Sequence, residues 1–106
     1  MTIVRINRAE WSVPPYLPDD DNNGLYVPET GRLCCLGHKC EQVDGKTREE
    51  MMGEVMPIYV GLKDRVWHYR AAAINDDYKL TNEEREAALI KLYKGKIQFE
   101  FYGDYE

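Results

Sequence analysis

Two periods organise the apolar residues of this chain, and the shorter is clearest near its end. Lys96-Ile97-Gln98-Phe99-Glu100-Phe101-Tyr102 alternates apolar and polar, which predicts a strand with Ile97, Phe99 and Phe101 turned inward. A lone strand leaves its backbone groups unsatisfied, so it must pair, with residues 2–6 or 58–60 as candidates. Thr2-Ile3-Val4-Arg5-Ile6 is rich in β-branched residues and reads as a short strand, or as the start of a helix running through Trp11. Ile58-Tyr59-Val60 is also strand-like, as is Leu25-Tyr26-Val27 ahead of the turn Glu29-Thr30-Gly31.

The longer period begins in the stretch that holds all three cysteines. Leu33, Leu36, Gly37, Cys40 and Val43 share one face of a helix, because residues three and four apart stack along a 3.6-residue repeat. Glycine costs about 1 kcal/mol relative to alanine inside a helix, so Gly37 mid-stripe implies that another backbone packs close there. Cys34, His38 and Glu41 or Gln42 fall on a different face, either a chemical site or a partly solvated surface.

Further helices carry start and stop signals. Thr47 followed by Glu50 is a capping box that opens a helix over 48–53, with Met51, Met52, Val55 and Met56 on its apolar side, and Pro57 ends it. Lys63-Asp64-Arg65 reads as a charged loop, and Val66 to Ile74 as a helix that Asn75-Asp76-Asp77 stops. Thr81 with Glu84 is a second capping box, predicting a helix from Asn82 to Lys94 with Arg85, Ala88, Leu89, Leu92 and Tyr93 on its inner face. Gly95 supplies the C-terminal stop. Pro14, Pro15, Pro18 and the Asp19-Asp20-Asp21 run make residues 12–24 a Pro/Asp-rich loop. An α+β fold follows. We expect a single small domain over residues 1–106, with a two- to four-stranded antiparallel or mixed sheet packed against three or four helices.

Composition narrows the function classes. With 106 residues, 43% hydrophobic and 31% charged, the chain can bury one core without staples. It has no apolar run of membrane-spanning length and no signal-peptide pattern, and three cysteines, two adjacent, do not read as a disulfide framework. We therefore expect reduced thiols, a cytoplasmic location and no membrane partner. The formal charge of −5 argues against direct contact with duplex nucleic acid, which needs clustered Lys and Arg.

Catalytic signatures are sparse: there is no phosphate-cradling Gly loop, nucleophile elbow or HExxH. Cys34 and His38 support two chemical readings. One is a zinc site completed by Cys35 or His68, although structural zinc is usually announced by two separated ligand pairs. The other is a cysteine activated by a histidine or a helix N-terminus. Against both stands the common role of free cysteine as a small buried hydrophobe. Asn75, Asp76 and Asp77 are turn and cap formers, or else a polar pocket in which a carboxylate and an amide hold a ligand or a partner's arginine. Eight tyrosines and two tryptophans exceed what one core of this size buries, and rigid amphipathic rings anchor interfaces. Tyr16, Tyr26, Tyr78 and Tyr105 flank polar turns and are the candidate contacts.

Cys34-Cys35-Leu36-Gly37-His38-Lys39-Cys40-Glu41, followed by Ala72-Ala73-Ile74-Asn75-Asp76-Asp77, resembles the motif pair of a group of small uncharacterised phage and prophage proteins. The likeness covers residues 31–101; the Pro- and Asp-rich N-terminal segment departs from it. The resemblance implies a phage-encoded protein acting in the host bacterium, with no established activity carried by the motifs. The leading expectation is a non-enzymatic, cofactor-free inhibitor that binds a host protein or protein complex, such as an anti-CRISPR or other anti-defence protein. The binding residues are then Asn75, Asp76, Asp77, Tyr78, Arg70, Tyr26 and Tyr16. The alternatives are a nucleotide-messenger sponge, in which Arg32, Lys39, Arg70 and Lys79 converge between subunits of a homo-oligomer, and a thiol- or zinc-dependent activity at Cys34 and His38.

Overall fold

The first and last strands of the chain lie side by side and parallel. β1 (Thr2–Asn7) pairs with β4 (Ile97–Tyr102) in a register that sets Val4 beside Phe99 and Ile6 beside Phe101. The alternation read from sequence over 96–102 is matched by one in β1: Val4, Ile6 and Phe99 are buried, whereas Ile3, Arg5, Gln98 and Tyr102 are exposed on the outer face. Ile97 and Phe101 are only half-buried. The structure, a computed structural model, describes residues 2–14, 24–52, 62–93 and 95–105, with only the backbone described for 62–67. Tyr16, most of the Pro/Asp-rich loop, the Ile58-Tyr59-Val60 segment and the expected helix end at Gly53 lie outside the described residues.

Between these strands come a 3-10 turn (Arg8–Glu10), a two-residue hairpin of β2 (Tyr26–Val27) and β3 (Arg32–Leu33), and the helices α1 (Cys35–Gln42), α2 (Arg48–Met51), α3 (Leu62–Asp76) and α4 (Asn82–Leu92). This is a mixed α+β fold with, among the described residues, one parallel and one antiparallel two-stranded sheet. Both capping boxes form as read: Thr47 and Thr81 each accept from the backbone N–H three residues on, and Glu50 and Glu84 return the bond. α1 packs on β1 and α3, and α4 on α3 and β4. Among the described residues, no helix is long and apolar enough to cross a membrane.

Three sequence expectations are corrected. Leu33 belongs to β3 rather than to the cysteine helix, because Cys34 has extended backbone and caps α1 by accepting from Gly37 N–H. Val43, expected on the buried stripe, is 44% exposed just past the end of α1. Lys63-Asp64-Arg65 is the first turn of α3 and not a loop; charged residues have ordinary helix propensity, so three in succession do not break a helix.

The buried apolar side chains form one cluster that draws on every layer, with Trp11, Leu25, Leu33, Leu36, Met51 and Leu89 among its largest members. Gly37 is where α1 meets the segment before β2. A Cβ placed there would lie 2.0 Å from the Leu25 carbonyl oxygen, so the close backbone approach expected from its position is present.

Candidate functional site

The end of α3, the connection that follows it and the first residue of α4, residues 75–82, gather four of the seven expected binding residues. Asn75, in the last turn of α3, is fully buried. Its Oδ1 accepts from Trp11 Nε1 (2.7 Å) and from the Cys35 backbone N–H (3.0 Å), while its Nδ2 donates to Ser12 O (2.8 Å) and Asp76 Oδ1 (3.0 Å). One amide thus ties α3 to the N-terminal segment and to the start of α1. Both of its polar atoms are used within the fold, so Asn75 supports the loop from beneath. Asp77 Oδ1 accepts from Lys79 N–H (2.9 Å), tightening the turn beyond the helix.

Arg85 fixes the same loop from the other side. Buried at the first turn of α4, its guanidinium donates to the carbonyls of Ile74 (3.3 Å), Asp77 (2.6 Å) and Leu80 (3.0 Å) and to Asn82 Oδ1. A cation thus sits at the C-terminus of α3 and binds carbonyls in its last turn and in the loop beyond it, a position the helix dipole favours. The sequence carried the signal in plain view: an arginine on an apolar stripe just after a turn needs acceptors, and the preceding helix end supplies them.

The supported loop presents Tyr78, which is 79% exposed, the most of the large exposed apolar and aromatic side chains described. Beside it lies an open depression of about 430 Å³ lined by Pro14, Tyr78, Leu80, Thr81 and Asn82. Asp76 and Asp77 are half-buried, and Arg70 is exposed on α3. Tyr26 is placed differently: it is half-buried on β2, with the Arg48 guanidinium 5.7 Å from its ring centroid. Tyr105, also expected to be exposed, is half-buried and donates to Glu86, which Arg8 clamps through two hydrogen bonds of 2.9 and 2.8 Å. Burial alone would raise the Glu86 carboxyl, but the bonds from Arg8 and Tyr105 hold it below the usual carboxylate value.

On the cysteine face Cys34 and His38 are buried, Glu41 is half-buried and Gln42 is exposed. Cys34 and His38 are 6% and 3% exposed. Burial pushes the Cys34 thiol up to about 12 and raises Cys35 as well, so both hold their protons at neutral pH, whereas a nucleophilic cysteine is a thiolate. All three cysteines are free and buried, and among the described residues no three His, Cys, Asp or Glu side chains gather to hold a metal ion. Of the four cations expected to converge on an anion, Lys39 is paired with Asp44 at 2.9 Å and Arg32 donates to Trp11 O at 3.4 Å.

His38 Nε2 donates to Glu10 O at 3.1 Å, and burial lowers its pKa from 6.5 to about 4. In the fold the ring is neutral, while the unfolded chain takes up a proton below pH 6.5. Stability contributed by this residue is therefore complete above pH 6.5 and is lost as the pH falls toward 4. The loss is about 3 kcal/mol if the whole shift is realised. Urea unfolding across that range should show a steeper acid loss for the wild type than for His38→Gln. Parallel profiles would mean that the ring does not carry the acid loss.

No protein-family model, curated protein or solved structure matches the chain.

Proposed function

We propose that the protein is a non-enzymatic binding protein whose contact surface is the α3–α4 connection, centred on Tyr78. One observation carries this reading. A tyrosine ring is held almost fully in solvent on a loop that a buried asparagine and a buried arginine fix from below. A rigid exposed aromatic loses little entropy on docking, which is why such residues anchor interfaces. The depression beside it offers Pro14 and Leu80 as apolar contacts and Thr81 and Asn82 as polar ones. The resemblance of the Cys-Cys-Leu-Gly motif to phage and prophage proteins supports a phage-encoded inhibitor acting in the bacterial cytoplasm on a host protein or complex, with anti-defence as the natural role. The protonated, buried thiols support binding over thiol chemistry.

The test is capture from lysate of a bacterial host with wild-type and Tyr78→Ala protein, each checked for unchanged far-UV dichroism. Truncating an anchor costs about 2 kcal/mol or more, so a partner held by the wild type should bind Tyr78→Ala about thirtyfold more weakly. Equal retention of the same partner by both proteins would refute the assignment of the surface.

A further inference from the structure

The two edges of the β1–β4 sheet are treated differently. On the β1 side, the Gln42 side chain from the end of α1 takes the place of a neighbouring strand: it accepts from Arg5 N–H at 2.8 Å and donates to Arg5 C=O at 2.6 Å. This satisfies the Arg5 groups in the middle of an edge that would otherwise recruit another strand. It also fixes the phase of the sheet. In a strand the N–H and C=O of one residue leave the same side and alternate residues leave opposite sides, so the Arg5 backbone groups point away from β4 while those of Val4 and Ile6 point toward it. In the observed register Val4 then bonds to the neighbours of Phe99, which are Gln98 and Glu100. Phe99 and Phe101 therefore send their backbone groups out of the far edge. Ile97 shares that parity, and its N–H does leave the sheet, to Tyr93 O at 3.0 Å.

Among the described residues no strand pairs with this outer edge. The side chains at either end of its inner row, Ile97 and Phe101, are half-buried, and an open depression of about 530 Å³ lined by Arg5, Glu100, Phe101 and Tyr102 adjoins the strand. We infer that a second copy of this chain covers the edge, β4 against β4, antiparallel about a two-fold axis at Phe99.

The sequence of the strand is complementary to itself in that register. Phe99 exchanges N–H and C=O bonds with its counterpart. Each Phe101 N–H reaches the C=O of Ile97 opposite, while the Ile97 N–H is already spent on Tyr93 and leaves the Phe101 C=O to water. On the inner face Ile97 meets Phe101, completing the cover that both lack. On the outer face Gln98 meets Glu100 of the second copy; within each chain Gln98 Nε2 already donates to Glu100 Oε2 at 3.2 Å and Arg5 Nε to Glu100 Oε1 at 3.3 Å, so association exchanges the Gln98–Glu100 bond between copies, twice by the symmetry. A one-residue shift to an axis at Glu100 would instead set two carboxylates directly opposite, which is unfavourable. Because each chain carries a formal charge of −5, the association should tighten as salt screens the repulsion.

Sedimentation equilibrium from low micromolar to near-millimolar protein tests this, with the mass rising from 12.4 kDa toward twice that value. Gln98 is exposed, so its charge can be changed without entering the core. Gln98→Lys should tighten the dimer and Gln98→Glu weaken it, each by about tenfold, through two symmetric pairs with Glu100. A wild type that stays monomeric over the whole range overturns the proposal. So does a dimer that responds alike to both substitutions in salt that screens their change in net charge, because its interface then lies elsewhere. Capture of a host partner through Tyr78 is unaffected by either result.

Discussion

Replacing Gly37 by alanine is expected to destabilise the protein by about 3 kcal/mol or more, and to leave a large fraction of it unfolded if the wild type is marginal. The added methyl would sit 2.0 Å from the Leu25 carbonyl oxygen and 2.9 Å from the carbonyl carbon, both backbone atoms that no rotamer change can move. α1 would have to retreat from the segment before β2 by more than an ångström. That movement would break the bond from Cys34 N–H to the same Leu25 oxygen, now 3.2 Å, and loosen the packing of Leu33, whose Cβ lies 3.1 Å from the same point. Helix propensity works the other way by about 1 kcal/mol, since alanine is the better helix former, so the sign of the result separates the two effects. Urea unfolding followed by dichroism decides it. A midpoint at or above that of the wild type would mean that the α1 contact relaxes freely.

Gly37 was legible in the sequence because a glycine inside an apolar stripe weakens the helix, a cost that a close backbone approach offsets. The elements with explicit punctuation were legible on similar local grounds. The boxes at Thr47 and Thr81 fix helix starts through local hydrogen bonds, and the alternation over 97–102 is fixed by the pleat. The parallel pairing of β1 with β4 was not, since strand direction depends on the path of the intervening chain and leaves no local trace in either strand. Cys34 shows the limit at short range. A thiol accepting at a helix N-cap stands in for the usual serine or aspartate, so the apolar period runs past the true start of α1 and takes in Leu33.

For the candidate site, the sequence located the loop but not the division of labour within it. Asn75 and Tyr78 both read as polar-turn residues available for contact. In the fold Asn75 faces inward because the indole of Trp11 and the N-terminus of α1 converge on its amide, a long-range arrangement spanning 64 and 40 residues of sequence. Tyr78, three residues on, is left outside by the same turn. Arg85 holds that turn through three carbonyls, and its appearance on an otherwise apolar helix face was the one cue to a buried cation.

Asn75→Ala should therefore behave as a core mutation rather than as the loss of a surface contact. Trp11 Nε1–H and Cys35 N–H would lose their shared acceptor, and Ser12 C=O this donor, in a region closed to water. Each buried group deprived of its partner costs about 1–3 kcal/mol, giving a total of about 3–5 kcal/mol. Asn75→Asp separates the two ends of the amide. It keeps an oxygen for Trp11 and Cys35 but turns a second one toward the Ser12 carbonyl and the Asp76 carboxylate, where the amide donated before. A buried carboxylate facing two acceptors is unfavourable, so Asn75→Asp should be no more stable than Asn75→Ala at neutral pH despite retaining the acceptor. If both variants unfold within about 1 kcal/mol of the wild type, the worth of a single ordinary hydrogen bond, the amide is not the tie between α3, α1 and the N-terminal segment. Tyr78→Ala provides the contrast, since its side chain projects into solvent from the same loop and its loss should leave the unfolding midpoint unchanged while removing the partner contact.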